Sequence, residues 1–115
     1  MTSGINFEQG EMLLVPFPFT NLKTVKQRPV LILSKTEANR SSADFVCCGI
    51  TSSVQNTDHS VLIDNKNLEY GYLPKPSRIK VSVIFTLEKS SVIKGIGKIK
   101  EETFNKVKDE ILKLF

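Results

Sequence analysis

A single arginine at the edge of an apolar segment is a candidate for phosphate or carboxylate chemistry. Arg28 and Pro29 open the run RPVLIL, whose β-branched residues and leucines predict a strand over 28–33. Proline is tolerated at the first residues of a strand, where it costs no ladder hydrogen bond. An arginine fixed there presents a permanent cation with a planar set of donors, which suits either anion.

Three consecutive hydroxyl residues follow the next apolar run. Residues 43–50, ADFVCCGI, predict a further strand, with Gly49 as a bulge or a close backbone approach, and Thr51, Ser52 and Ser53 end it. These hydroxyls can donate to a ligand, and they can equally form a local turn. If this strand neighbours the one that carries Arg28, the hydroxyls and the guanidinium converge, which favours phosphate over carboxylate.

The sequence does not name a proton acceptor for such a site. His59 is the one histidine of the chain, and an imidazole can serve as an acid or a base, but no partner is evident for it. Glu11 is a second candidate, although pairing with a lysine explains it equally well. Lys80 lies on the polar side of an alternating segment and is a supporting cation.

Two polar connections could bind a nucleic acid. Residues 20–27 form a lysine-bearing loop, and residues 64–77 form a long loop that contains two prolines. Tyrosines and cations are interleaved in and around the second loop, as in single-strand binding grooves, although the same residues could pack the loop onto a sheet.

The elements that position these residues are mainly strands. Met12–Val15 reads as a buried strand after a turn at Gly10, and Ile79–Leu87 alternates strictly, with Ile79, Val81, Val83, Phe85 and Leu87 on the core face. Shorter strands are predicted over 60–63 and 91–99, and a polar turn or short helical turn over 35–42. Phe104, Val107, Ile111, Leu112 and Phe115 recur at helical spacing behind Glu101 and Glu102, which predicts an amphipathic helix over 101–115 that covers a sheet edge.

Length and composition indicate one globular domain over 1–115, with residues 1–9 as an extension. The net charge of +4 arises after residue 59, which is compatible with a polyanionic partner. Cys47 and Cys48 are adjacent in an apolar run and suit neither a disulfide nor a metal. The sequence shows no leader, membrane span or cofactor motif, so we expect a cytoplasmic protein without a cofactor.

Taken in order, these segments resemble the PemK/MazF toxins of type II toxin–antitoxin systems. FPFT followed by RP and then ITS is the most specific part of a match that spans about residues 10–115. The matching segments are Gly10–Met12, VPFPFTN at 15–21, RPVLILS at 28–34, ITS at 50–52, PS at 76–77, TL at 86–87 and IGKI at 96–99.

The resemblance implies a mainly β fold, a small SH3-like antiparallel barrel of five to seven strands with a C-terminal helix, acting as a homodimer. It implies a metal-independent endoribonuclease that cuts single-stranded RNA at short sequences. It also implies a cognate antitoxin partner with an acidic tail and a DNA-binding head, so that DNA binding would belong to the complex.

For the site, the resemblance makes Arg28 the catalytic arginine and Thr51 the active-site threonine, with Ser52 and Ser53 assisting. Some members carry Arg-x-Asp where this chain has Lys80-Val81-Ser82, so a carboxylate that could act as base is missing there. The predicted RNA contacts are Phe19, Thr20, Lys23, Lys26, Tyr70, Tyr72, Lys75, Ser77 and Arg78.

Two other functions compete with the ribonuclease. The missing carboxylate favours a non-catalytic relative that binds RNA or a protein through the same groove. A poison of DNA gyrase is the remaining alternative, because the same fold is used for that purpose and the fold does not decide function.

Overall fold

The apolar and alternating runs of the sequence form the strands of one sheet. The computed structural model describes residues 5–18, 25–56 and 59–115. Within these residues the strands are β1 Glu11–Pro18, β2 Val25–Ile32, β3 Asp44–Thr51, β4 Ser60–Ile63, β5 Leu68–Gly71, β6 Ser77–Glu88 and β7 Lys94–Ile99. The helices are α1 Thr36–Arg40 and α2 Glu101–Leu112, with single 3₁₀ turns at Asn65–Asn67 and Lys89–Ser91.

All strand pairs are antiparallel, and the order across the sheet is β4-β6-β3-β2-β1-β7-β5. The sheet curls into a half-barrel. This confirms the predicted mainly β barrel with a C-terminal helix. The strands β4 and β5 are its two edges.

The curled sheet buries two apolar clusters. One lies between the sheet and α2 and includes Met12, Leu31, Ile79 and Val107. The other contains Leu13, Val15, Val30, Ile32, Phe45, Cys47 and Val92, and the N-terminal residues Ile5 and Phe7 pack against it. Ile5 and Phe7, which precede β1, are therefore part of the packed structure.

Helix α2 packs on β4 and β6, so it covers one edge of the sheet as predicted. Phe104 and Val107 are its buried apolar residues, and Glu101 and Glu102 occupy its first turn. The helix ends at Leu112, and Leu112 and Phe115 are 71% and 94% exposed. Their predicted place on the apolar face is therefore wrong. Among the described residues, no helix combines the length and the apolar character needed to cross a membrane.

The strand that carries Arg28 begins earlier than predicted. β2 starts at Val25, so Arg28 lies inside the strand, opposite Val15 of β1, and not at the strand's start. The ladder from β2 to β3 includes only Val30 to Ile32. Pro29 is tolerated because its strand has no partner on the β3 side at that point.

A large bulge interrupts the alternation of β6. Cys48 of β3 pairs with Ile84 and the next residue, Gly49, pairs with Lys80, so residues 81–83 have no partners in β3. Val83, predicted on the core face, is 39% exposed as a result.

The segment 64–77 is not the single long loop that the sequence predicted. It contains a 3₁₀ turn and β5, and β5 pairs with β7. The strand predicted over 91–99 is β7, which begins only at Lys94. At Gly71 φ is +96°, and an added Cβ would lie 2.3 Å from the Cα of Gly97. This contact between backbones requires glycine at position 71.

Candidate active site

A cleft of about 320 Å³ opens where β2 and β3 diverge. Its base is apolar, with Val30 and Ile50 buried below it. The described residues that line the cleft are Arg28, Pro29 and Val30 from β2, Gly49, Ile50 and Thr51 from β3, and Lys80, Val83 and Phe85 from β6.

The cleft brings together three of the predicted site residues, Arg28, Thr51 and Lys80, each from a different strand. Arg28 is exposed, whereas Thr51 and Lys80 are half-buried. None of the described residues that line the cleft is acidic. Two cations and a hydroxyl group above an apolar floor favour binding of an anion.

The hydroxyl of Thr51 takes part in a local turn and can still donate a hydrogen bond. Its Oγ1 accepts a hydrogen bond from the backbone N–H of Ser53 at 3.1 Å. A hydroxyl can accept and donate at once, so the Thr51 O–H can still donate to a ligand in the cleft. Ser52 and Ser53 are exposed and follow Thr51 directly, but they do not line the cleft.

Arg78, predicted as an RNA contact, fastens the chain that follows Thr51. Its Nε–H donates to the carbonyl of Val54 and its Nη1 to Ser60 Oγ, each at 3.1 Å. Val54 lies three residues after the end of β3, and Ser60 is the first residue of β4. One guanidinium on β6 therefore holds the chain near both ends of the connection between β3 and β4. No sequence pattern indicates this contact, because it depends on the β6 register that places Arg78 between Thr51 and Leu62.

Glu11 lies away from the cleft. It is four residues along β1 from Val15, the partner of Arg28, and thus about 13 Å from that pair. Its carboxylate is buried and accepts hydrogen bonds from the backbone N–H groups of Glu8 and Asn6, at 2.9 and 3.2 Å. Burial raises the pKa of the Glu11 carboxyl.

His59 is also outside the cleft lining. It adopts φ = +58° just before β4, and its carbonyl accepts from the Val81 N–H at 3.1 Å. Its Nδ1 is buried and has no hydrogen-bond partner among the residues that the structure describes.

The remaining predicted RNA contacts divide into several groups. Phe19, Thr20 and Lys23 lie outside the described residues. Lys26 is exposed on β2, two residues from Arg28 and on the same face.

Ser77 is only 6% exposed and donates its hydroxyl to the carbonyl of Lys75 at 3.1 Å. Tyr72 and Lys75 line a separate hollow of about 290 Å³. Tyr70 lies on β5 opposite Lys98 and lines neither the cleft nor this hollow.

Sequence reasoning missed two residues that shape the cleft. Val83 and Phe85 were predicted on the core face of β6. Val83 lies in the bulge and lines the cleft, whereas Phe85 packs against the second apolar cluster as predicted and also lines the cleft. Gly49, predicted as a close approach, lies against this bulge, where an added Cβ would meet Val83 Cγ1 at 3.6 Å.

The fold is that of a class of small bacterial toxins. A mycobacterial endoribonuclease solved with its cognate antitoxin is 20% identical over 92% of this chain and 91% of its own, with a TM-score of 0.73. The MazE–MazF structure (Form-II) from Deinococcus radiodurans is 15% identical over 93% of each chain, with a TM-score of 0.74. The toxin MazF-mt6 of Mycobacterium tuberculosis is 20% identical over 86% of this chain and 91% of its own, with a TM-score of 0.67. No curated protein matches the chain in sequence.

The sequence itself matches the family described as the PemK-like, MazF-like toxin of type II toxin–antitoxin systems over residues 8–115. The chain therefore belongs to this family, and the resemblance inferred from the sequence motifs is confirmed.

Proposed function

We propose that this chain is a metal-independent endoribonuclease that cleaves single-stranded RNA at short sequences as the toxin of a toxin–antitoxin pair. The observation that carries the proposal is the convergence of Arg28, Thr51 and Lys80 in one cleft. The two cations supply electrostatic stabilisation of a phosphate from protein side chains alone. Family membership and the endoribonuclease neighbours support the same reaction class.

In this reaction the ribose 2′-oxygen attacks the adjacent phosphorus while the bond to the 5′-oxygen of the next nucleotide breaks. The 2′-OH proton goes to a base, and the leaving 5′-oxygen takes up a proton, so that a 2′,3′-cyclic phosphate and a 5′-OH result. Arg28 holds the non-bridging oxygens as negative charge develops on them. Thr51 donates a hydrogen bond to the same group, and Lys80 adds a second positive charge.

The test is cleavage of an end-labelled single-stranded RNA in EDTA by the purified protein. We expect Arg28→Ala to lower kcat/KM by about 100-fold or more, because removing one donor to a developing oxyanion costs about that factor. Thr51→Ala, which removes one hydrogen-bond donor to the same group, should lower it by about 100-fold. Arg40→Ala is the control, because Arg40 is an exposed arginine at the end of α1.

Full cleavage by Arg28→Ala, with an unchanged melting temperature, would rule out this site. Loss of wild-type cleavage in EDTA would rule out a metal-independent reaction.

The second candidate function is RNA binding without cleavage. It is favoured by one observation: none of the described residues that line the cleft carries a carboxylate that could accept the 2′-OH proton. Retained binding of the labelled RNA by the wild type, with no 5′-OH product after prolonged incubation, would establish it.

We propose further that the toxin acts as a homodimer in the cytoplasm and binds a cognate antitoxin. Structural neighbours have been solved with an antitoxin or as MazE–MazF. The excess of positive charge after residue 59 complements an acidic antitoxin tail. Co-purification with the product of the adjacent gene, followed by measurement of the mass of the complex, tests both partners.

A further inference from the structure

We propose that Tyr72, flanked by Lys66 and Lys75, forms a base-stacking subsite for single-stranded RNA, separate from the Arg28 cleft. The inference rests on the proposed ribonuclease function and adds to it a second contact with the same RNA strand. The hollow beside Tyr72 has a volume of about 290 Å³, and Pro74 and Pro76 form part of its wall.

The backbone that presents Tyr72 is fixed on both sides. The side-chain amide of Asn65 donates to the carbonyl of Leu73 and accepts from the Leu73 N–H, both at 2.8 Å. Leu73 itself is 4% exposed and belongs to the core, and the Tyr72 N–H donates to the carbonyl of Ile96 at 3.2 Å. A ligand that binds here therefore meets a preorganised surface.

The Tyr72 side chain contributes little to the core that this backbone serves. It is 68% exposed, although large aromatic rings are usually buried where they stabilise a fold. An exposed ring on a fixed backbone offers a face on which a nucleobase can stack at low entropic cost.

The charge around the ring suits a polyanion. Lys66 and Lys75 line the same hollow as Tyr72. The acidic residue there, Asp64, caps the 3₁₀ turn and accepts from the Lys66 N–H at 2.9 Å. Stacking on an aromatic ring beside cations is the mode by which proteins bind single strands without reading each base.

The outer face of β6 connects this hollow with the cleft. Ser77, Ile79 and Val81 point inward and are buried, so by alternation positions 76, 78 and 80 share the outer face. Pro76 lines the hollow and Lys80 lines the cleft, four residues or about 13 Å apart along the strand. A short stretch of extended RNA spans this distance, so one strand can reach both sites.

Tyr70 provides a matched control from the same segment. It is 48% exposed, lies on β5 opposite Lys98, and lines neither the cleft nor the hollow beside Tyr72. Lys98 is paired with Glu8 at 2.6 Å and with Glu69 at 3.6 Å, so the cation opposite Tyr70 is neutralised. We therefore expect no contribution to RNA binding from Tyr70.

The experiment measures kcat and KM for cleavage of a fluorescent single-stranded RNA by the wild type and by Tyr72→Ser, Tyr72→Phe and Tyr70→Ser. Tyr72→Ser should raise KM by about 5- to 100-fold with kcat nearly unchanged, because one stacked base contributes a factor of that size. Tyr72→Phe keeps the ring and should behave as the wild type. Tyr70→Ser removes the exposed ring on β5 and should also leave KM and kcat unchanged. Melting temperatures confirm that each variant is folded.

A KM for Tyr72→Ser within twofold of the wild type would overturn the subsite and leave the ribonuclease intact. The subsite would also be overturned if Tyr72→Ser changed only the affinity for an acidic antitoxin peptide or only the oligomeric state, and left KM for RNA unchanged. If the wild type does not cleave RNA, the proposed reaction fails, and the Kd for the same RNA in EDTA then tests the subsite alone. In that binding assay, equal RNA affinity of Tyr72→Ser and Tyr72→Phe would overturn the subsite.

Discussion

Glu11 is a carboxylate enclosed by protein, with 2% of its side chain exposed. Burial disfavours its charged form, and the two backbone N–H groups that it accepts from offset only part of this cost, so the pKa of Glu11 is raised. Its carboxylate holds the backbone of Asn6 and Glu8 in place, which is a structural role. The structure thus gives Glu11 a structural role away from the cleft.

The raised pKa of Glu11 leads to a prediction about how the free energy of unfolding depends on pH. The folded state binds the Glu11 proton more tightly than the unfolded chain, so the stabilisation due to this group is complete below the unfolded pKa, near 4.5, and is lost as the pH rises through the folded value. Glu11→Gln keeps an accepting oxygen without the charge. We expect it to match the wild type at pH 4 and to exceed its unfolding free energy at pH 7, as measured by urea denaturation.

Glu11→Ala is the comparison variant, because it removes the acceptor of two backbone N–H groups. It should be less stable than the wild type at both pH values, by about 1–3 kcal/mol for each donor left unpaired. A constant difference between Glu11→Gln and the wild type from pH 4 to pH 7 would contradict the assignment.

Burial also decides the chemistry of the two cysteines. Both are completely buried, and burial raises the pKa of the Cys47 thiol to about 12 and that of Cys48 further. A thiol that is not ionised near neutral pH is a poor nucleophile and metal ligand. The adjacent cysteines therefore serve as small core residues, as their apolar surroundings in the sequence predict.

At the level of elements, the cleft is a consequence of two irregularities in the sheet. The strands β2 and β3 separate beyond Val30, and the bulge at residues 81–83 bends β6 toward the gap. Arg28, Thr51 and Lys80 face the resulting cleft from three strands. The segment after Thr51 is held by Arg78, which makes Arg78 a positioning residue in our proposal.

We predict that Arg78→Ala lowers kcat by about 10- to 100-fold and leaves KM nearly unchanged, because displacing a catalytic group by about 1 Å has an effect of this size. Arg78→Lys should not restore activity, since an ammonium cannot reach Val54 O and Ser60 Oγ in the same planar geometry. Steady-state cleavage of labelled RNA measures both constants.

Ser60→Ala removes one of the two acceptors and should show a smaller loss of kcat in the same assay. If Arg78 instead binds RNA directly, KM rises, kcat is kept, and the salt dependence of binding weakens. That pattern would contradict a positioning role.

At the scale of the whole molecule, the net charge of +4 is distributed unevenly, and two cations meet at the cleft. Outside the cleft, Lys113 forms an ion pair with Glu110 at 2.6 Å on α2, and Lys98 forms one with Glu8 at 2.6 Å. Cations that contact phosphate, rather than the overall charge, should set how binding depends on salt.

Binding of single-stranded RNA should weaken linearly in log Kd against log salt concentration, because phosphate contacts release counterions. Lys80→Gln should reduce the slope by about 0.7, the contribution of one phosphate contact in a single strand. Lys113→Gln is the control and should leave the slope unchanged. Fluorescence anisotropy over an about sixfold range of salt concentration, from 50 to 300 mM, measures each slope. Equal slopes for Lys80→Gln and the wild type would exclude Lys80 from phosphate binding.

The sequence by itself determined the strand-rich fold, the C-terminal helix and the family. These follow from local signals: the alternation over 79–87, the 3.6-residue period from Phe104 to Val107 and Ile111, and the ordered motifs around Arg28 and Thr51. Each signal depends on residues close together in the chain. The resemblance also selected Arg28 and Thr51, two residues that line the same cleft.

Only the tertiary structure decided how the strands align and which side chains share a surface. A shift of register reverses the face of every following residue, so the sequence could not show that Val83 reaches the cleft, that Arg78 binds Val54 and Ser60, or that Glu11 is enclosed. Bulges and the divergence of β2 from β3 arise from contacts between segments far apart in the chain. The cleft is formed by those contacts.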